Sequence, residues 1–192
     1  MNDIINGFPK NIKSDVETIL KIIPKETYNN VNIRTYDDNI CYNLNGENIV
    51  FPYRLYLIDI SDDILNNLSE QEKNIVHCLY TRSCDGYVRE KHLKSLLNSN
   101  YDEWVIPYIV KICDEYVIEL LELTYLILKD RDNQKIKQFC IENVEIFCKN
   151  YNRMISYWNE FYRVDCYKFK DYIGRKLFRD IFGYNRSMEN KN

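Results

Sequence analysis

The chain has 192 residues, 45% of them hydrophobic and 29% charged, with a formal net charge of −3. That length suits one domain with its own core. No run of 18 apolar residues exists to read as a membrane span, and MNDIINGFPK lacks the basic-then-apolar layout of a secretory signal, so the expected location is cytoplasmic.

The seven cysteines, at 41, 78, 84, 113, 140, 148 and 166, form no CxxC pair, and there are only two histidines. Four ligands must converge on a tetrahedral ion, so no zinc site and no metal or cofactor is expected. Cys113, Cys140 and Cys148 fall in apolar surroundings and read as reduced and buried. Alanine is absent while Asn, Ile, Lys and the 17 tyrosines abound, a bias that AT-rich genomes impose through the code. Charge is uneven: residues 131–192 hold 13 Lys/Arg and 8 Asp/Glu, leaving residues 1–130 net acidic.

In chain order, Ser14 and Glu17 have the spacing of a capping box opening DVETILKII, which Pro24 closes. ICYNL and NIVF flank Asn45-Gly46, a pair that tolerates positive φ, and predict a hairpin. PYRLYLIDI reads as a third strand, with Pro52 at its start or on an edge, which puts the β region at about 39–58. A second capping box, Ser69 and Glu72, opens EKNIVHCLYTR. Asp85 and Gly86 mark the corner into a helix over 87–97. A long helix is expected at about 103–129, with Pro107 near its first turn and a polar stripe of Lys111, Asp114, Glu115, Glu119 and Glu122. Its remaining circumference is apolar, so neighbours must cover it as the post of a bundle. Helices at 134–141, 143–164 and 171–182 complete the pattern.

The expected fold is therefore mainly α: a multi-helix bundle around the 103–129 helix, with a small N-terminal β-hairpin. It reads as one domain, 1–192, with a helix-plus-hairpin subregion at 1–60, a helical core at 61–185 and a flexible tail at 186–192. DGYVREKHLKSLL and, 29 residues on, CDEYVIELLELTYL resemble HEAT-type helices, which carry Asp followed by Val-Arg. Ile118 replaces the arginine in the second copy, and two units fall short of the three or more a solenoid requires. The resemblance is one of packing and implies no family membership.

Caps and solvated faces explain Asp85, Gly86, Glu90, Lys91 and Lys94, but not Arg82, Arg89 and His92. The expected partners of the arginines are Glu115 and Glu119, since a carboxylate on an apolar helix calls for a guanidinium. Cys84, before a helix N-terminus and close in sequence to two arginines, is the best nucleophile candidate, with His92 as its base and Glu119 as another acid/base group. No oxyanion hole or orienting third group accompanies them. Di-iron chemistry fails because neither His77 nor His92 has Glu three residues before it. The helix after the corner, EWVIPYIVKICDEYV, is apolar and acidic, which argues against major-groove reading.

Residues 151–186 contain 11 aromatics and eight Lys/Arg against four acids. Met154, Ile155, Trp158, Phe161 and Tyr162 share one helical face and read as core, as do Leu177, Phe178, Ile181 and Phe182. Outside that core lies a basic surface with Arg163, Lys168, Lys170, Arg175 and Lys176, suited to an acidic partner. A protein-binding module, of the adaptor, antitoxin or immunity-inhibitor kind, thus outranks two alternatives: a small enzyme using Cys84/His92 or Glu119, and RNA or nucleotide binding through the basic surface.

Overall fold

Residues 2–24 and 39–191 of the computed structural model are described. They are mostly helical with a single two-stranded antiparallel sheet, and contacts gather the chain into two compact units, Met1–Val105 and Ile106–Asn192.

In the first unit, a short helix α1 (Asn2–Ile5) leads to a 3-10 turn at Lys10–Ile12 and then α2 (Lys13–Ile22). The expected Ser14 capping box does not form. Pro9 fixes the entry, the 3-10 turn carries the chain into α2, and Ser14 lies inside the helix, its hydroxyl on Asp15. At the other end Ile23, ahead of Pro24, is extended with ψ 129°, as the proline ring requires.

Strands β1 (Asn39–Leu44) and β2 (Glu47–Pro52) pair from Asn39↔Pro52 to Leu44↔Glu47. Asn45 (φ 51°) and Gly46 (φ 85°) make the tight turn that the sequence signals. Ile40, Tyr42 and Leu44 point inward and alternate with exposed neighbours, the period-two pattern of a one-sided hairpin. Val50 N donates to Asn6 O (2.8 Å), fastening the end of α1 to β2. PYRLYLIDI is not a third strand. Pro52 ends β2, and residues 53–60 run as an irregular strap touching the helical corner through one parallel bridge, Leu55↔Ser83.

After α3 (Asp62–Asn66), the Ser69/Glu72 capping box is present in both directions and opens α4 (Glu70–Tyr80). Asp85 caps α5 (Gly86–Asn98), accepting from Tyr87 N (2.8 Å) and Val88 N (3.4 Å). Ile75, Val76, Cys78 and Leu79 of α4 and Leu93, Leu96 and Leu97 of α5 are buried and form this unit's helical core.

The expected 103–129 helix is three pieces: a 3-10 turn at Glu103–Val105, α6 (Ile106–Ile112) and α7 (Ile118–Leu128). Residues 113–117 are not helical. Asp114 there bonds the Lys111 ammonium, and Asp with β-branched Val117 favours non-helical backbone. One carbonyl freed by the break, that of Tyr116, accepts from the Tyr162 hydroxyl. The break also separates the two HEAT-like segments: DGYV leads directly into α5, whereas DEYV lies outside any helix.

The second unit continues with α8 (Gln134–Glu142) and α9 (Val144–Tyr157), and α9 extends into a π turn at Trp158–Tyr162. Then come a 3-10 turn at Phe169–Asp171, α10 (Ile173–Lys176) and a second π turn at Leu177–Ile181. Phe147 stacks on Phe178 (5.5 Å) and Tyr151 on Tyr184 (3.6 Å). Residues 186–191 form a 3-10 helix with Met188 buried, where the sequence reads as a tail.

Candidate functional site

The polar cluster best defined by geometry joins the strap to α4 and α5, all within the first unit. His92, fully buried on α5, brings Nε2 to 2.8 Å from Asp59 Oδ1 and Nδ1 to 2.8 Å from His77 Nδ1 on α4. A carboxylate can only accept, so neutral His92 carries its proton on Nε2. Its Nδ1 then accepts from His77 Nδ1–H, leaving His77 a lone pair on Nε2. Tyr80 stacks on the His92 ring (4.4 Å, 16°) and donates its hydroxyl to Ile58 O at 2.6 Å. Lys91 closes the chain from outside, 2.9 Å from Asp59 Oδ2 and 3.4 Å from Asp62.

Titration behaviour follows from this setting. Burial lowers both histidines: desolvation, then the charge of His92, pushes His77 down to about 4. For His92 the bond to Asp59 opposes desolvation without overcoming it. Desolvation would raise Asp59, but its bonds from Lys91 and His92 prevail and hold it below the ordinary carboxyl range. Burial also raises the Tyr80 hydroxyl. At neutral pH the chain is one carboxylate and two neutral imidazoles.

This arrangement leaves no ring nitrogen of His92 for Cys84. Cys84 lies in the exposed corner, yet desolvation at its sulfur raises the thiol, outweighing a Tyr56 hydrogen bond and three arginines, Arg54, Arg89 and Arg82. The nucleophile–base pair suggested by sequence is therefore not assembled. Arg82 and Arg89 are buried and hold the corner: Arg82 Nη2 donates to Tyr53 O (2.6 Å), and Arg89 Nη1 to Ser83 O (2.9 Å) and Cys84 O (3.1 Å). Glu115 is buried in the second unit, whereas Glu119 is exposed in the first turn of α7, so only Glu115 has the burial that the expected arginine–glutamate network requires.

Sequence reasoning overlooked Asp59 and the pairing of His77 with His92. One signal was present: Asp59 is the only acid in the otherwise apolar LYLIDI.

In the second unit the C-terminal aromatics divide. Leu177, Phe178, Ile181 and Phe182 are core, as their spacing indicates. Phe161 is not. Of the face expected as core, Met154 is fully buried, Ile155, Trp158 and Tyr162 are half-buried, and Phe161, inside the π turn where the 3.6-residue spacing no longer holds, is 53% exposed. Around Phe161 lie Tyr116 (5.9 Å) and Tyr157 (6.1 Å), with Tyr116 51% exposed. Arg163 sits over the rings of Trp158 (5.8 Å) and Tyr167 (5.9 Å). Lys168 and Lys170 are exposed, and Arg175 and Lys176 half-buried, with Arg175 over Phe169 (5.9 Å).

No group of three or more His, Cys, Asp or Glu among the described residues could hold a metal ion, and none of their helices is long and apolar enough to cross a membrane. No family model, curated protein or solved structure matches the chain. What defines it is its own architecture: the described residues are mainly helical with a small β-hairpin.

Proposed function

We propose that the protein is a binding module for another protein, of the adaptor, antitoxin or immunity-inhibitor kind, working in the cytoplasm. The observation that carries this reading is the aromatic surface of the second unit, where Tyr116, Tyr157 and Phe161 cluster beside the π turn. Aromatic and arginine side chains grouped at the surface are the composition of interface centres, and contiguous exposed apolar surface marks an interaction site. Seven free thiols fit a reducing compartment. The test places a photoreactive phenylalanine at position 161 in the native cell. A discrete protein adduct is expected there, absent from a control at exposed Tyr87 and lost when Tyr116 is changed to Asp. Equal adducts at both positions would refute the reading.

One observation favours a second reading, RNA or nucleotide binding: Tyr167 is 74% exposed with Arg163 over its ring and Lys168 and Lys170 nearby in the chain. Bases stack on such platforms and phosphates pair with the cations. Counterion release would then make affinity fall with salt at a log–log slope of about 0.7 per phosphate neutralised. Tight single-stranded RNA binding that persists at physiological salt, and disappears when Lys168, Lys170, Arg175 and Lys176 become Gln, would favour this reading over the first.

A further inference from the structure

The irregular strap over residues 53–60 is ordered by its bonds to α4, α5 and the corner between them. Leu55 N donates to Arg82 O (2.7 Å) and Cys84 N to Leu55 O (3.1 Å). Arg82 reaches Tyr53 O and Tyr80 reaches Ile58 O, both at 2.6 Å. Further ties run through Asp59, to His92 and Lys91, and through Tyr56, hydrogen-bonded with the Cys84 thiol. Leu55 and Ile60 are the strap's buried anchors.

The proton count of the imidazole pair bears directly on this arrangement. Neutral, the pair holds one proton between its two Nδ1 atoms, 2.8 Å apart. A first added proton enters at His77 Nε2, and the bridging proton passes to His92 Nδ1, which places the charge beside Asp59. The Nδ1–H···Nδ1 bond survives and becomes charge-assisted, with Asp59 as counterion. A second added proton must go to the one Nδ1 lone pair that remains. Both Nδ1 atoms then carry hydrogen, the bond is lost, and two imidazoliums face each other while the one carboxylate, Asp59, reaches only the far nitrogen of His92.

Two such cations need water. The α4–α5 interface cannot supply it without exposing Ile75, Val76, Leu79, Leu93, Leu96 and Leu97, all buried. The strap is the weaker cover, because it contributes two buried apolar anchors and no regular structure. The charged groups around the pair are Glu70 and Lys73 of α4, Lys91 of α5, Asp59 of the strap and Asp62 at the start of α3. From α2, which also packs on α4, Asp15 bonds Gln71.

We propose that His77, His92 and Asp59 form an acid-operated latch on residues 53–60, closed while the imidazole pair holds at most one added proton and open once both rings are imidazolium. Opening exposes Leu55, Ile60 and the Tyr80–His92 stack, a surface that neutral pH conceals. The latch lies wholly in the first unit and does not depend on the aromatic surface of the second.

The full chain, labelled with ¹⁵N, tests this by NMR. At neutral pH the imidazole spectra should show the proton on Nε2 of His92 and on Nδ1 of His77. Between pH 7 and 4 the amides of Leu55 and Cys84 should lose protection at least tenfold, while the Trp158 indole signal stays native. His77→Gln keeps a donor toward His92 Nδ1 but cannot titrate, so its strap amides should stay protected over the same range. His77→Phe, likewise unable to titrate, serves if the Gln variant does not fold. Three outcomes would overturn the latch: strap amides that remain protected after both rings are charged, opening of the variant at the wild-type pH, or loss of the Trp158 signal in the same step as the strap.

Discussion

Acid should weaken the whole fold in a window set by His77. Its pKa is about 4 in the native protein, against 6.5 for the unfolded chain. Between those values the unfolded state binds the proton and the native state does not, so stability falls as pH drops from about 6.5 and levels off below about 4. The difference corresponds to about 3 kcal/mol at 1.36 kcal/mol per unit, and His77 is only 9% exposed, which leaves little solvent screening to reduce it. Most of the loss, roughly 2.5 kcal/mol, is in place by pH 4.5. The lowered pKa of His92 adds in the same direction, whereas Asp59, held below 3.8, acts only in stronger acid. With a urea m-value of about 1–3 kcal/mol/M, the midpoint should move down by about 0.8–2.5 M between pH 7 and 4.5. His77→Gln should remove most of that slope whatever its stability at pH 7, because a glutamine amide does not titrate. Urea melts at the two pH values for both proteins decide it. An unchanged slope in His77→Gln would refute the assignment of the buried neutral imidazole.

Three further outcomes are expected. A Cβ at Gly174 would lie 2.6 Å from Tyr172 Cε1 and 2.9 Å from Met154 Sδ, so Gly174→Ala should cost about 1–3 kcal/mol by overpacking, read as a lower thermal midpoint. Ser69→Ala removes the hydroxyl that caps Glu72 N and should lower stability by about 0.5–2 kcal/mol in the same assay. In brief alkylation near neutral pH followed by peptide mapping, Cys84 should label no faster than exposed Cys41, since desolvation raises its thiol. Faster labelling at Cys84 would revive it as a nucleophile.

Several features of this protein are written within a few residues of one another. The Asn45-Gly46 turn, the Ser69/Glu72 box, the Asp85 cap and the extended residue before Pro24 all depend on short-range backbone geometry, and each is in place. Burial at Leu177, Phe178, Ile181 and Phe182 likewise follows from spacing on one short segment. What spacing alone could not reveal depends on partners far along the chain. The strap runs irregularly because Arg82 takes the Tyr53 carbonyl 29 residues away, where a third strand would have needed a neighbouring ladder. The helix expected across 103–129 is interrupted where the Lys111 ammonium donates to buried Asp114, and where the Tyr162 hydroxyl, 46 residues along the chain, donates to the Tyr116 carbonyl. Phe161, inside a π turn, is exposed where 3.6-residue spacing predicts core, and Ile155, Trp158 and Tyr162 of the same expected face are only half-buried. His77 meets His92 across 15 residues and His92 meets Asp59 across 33. Periodicity records which face of an element is apolar. Which polar groups converge once those faces are buried is decided by tertiary packing, because a desolvated imidazole or carboxylate must find its hydrogen bonds among whatever neighbours the core brings within reach.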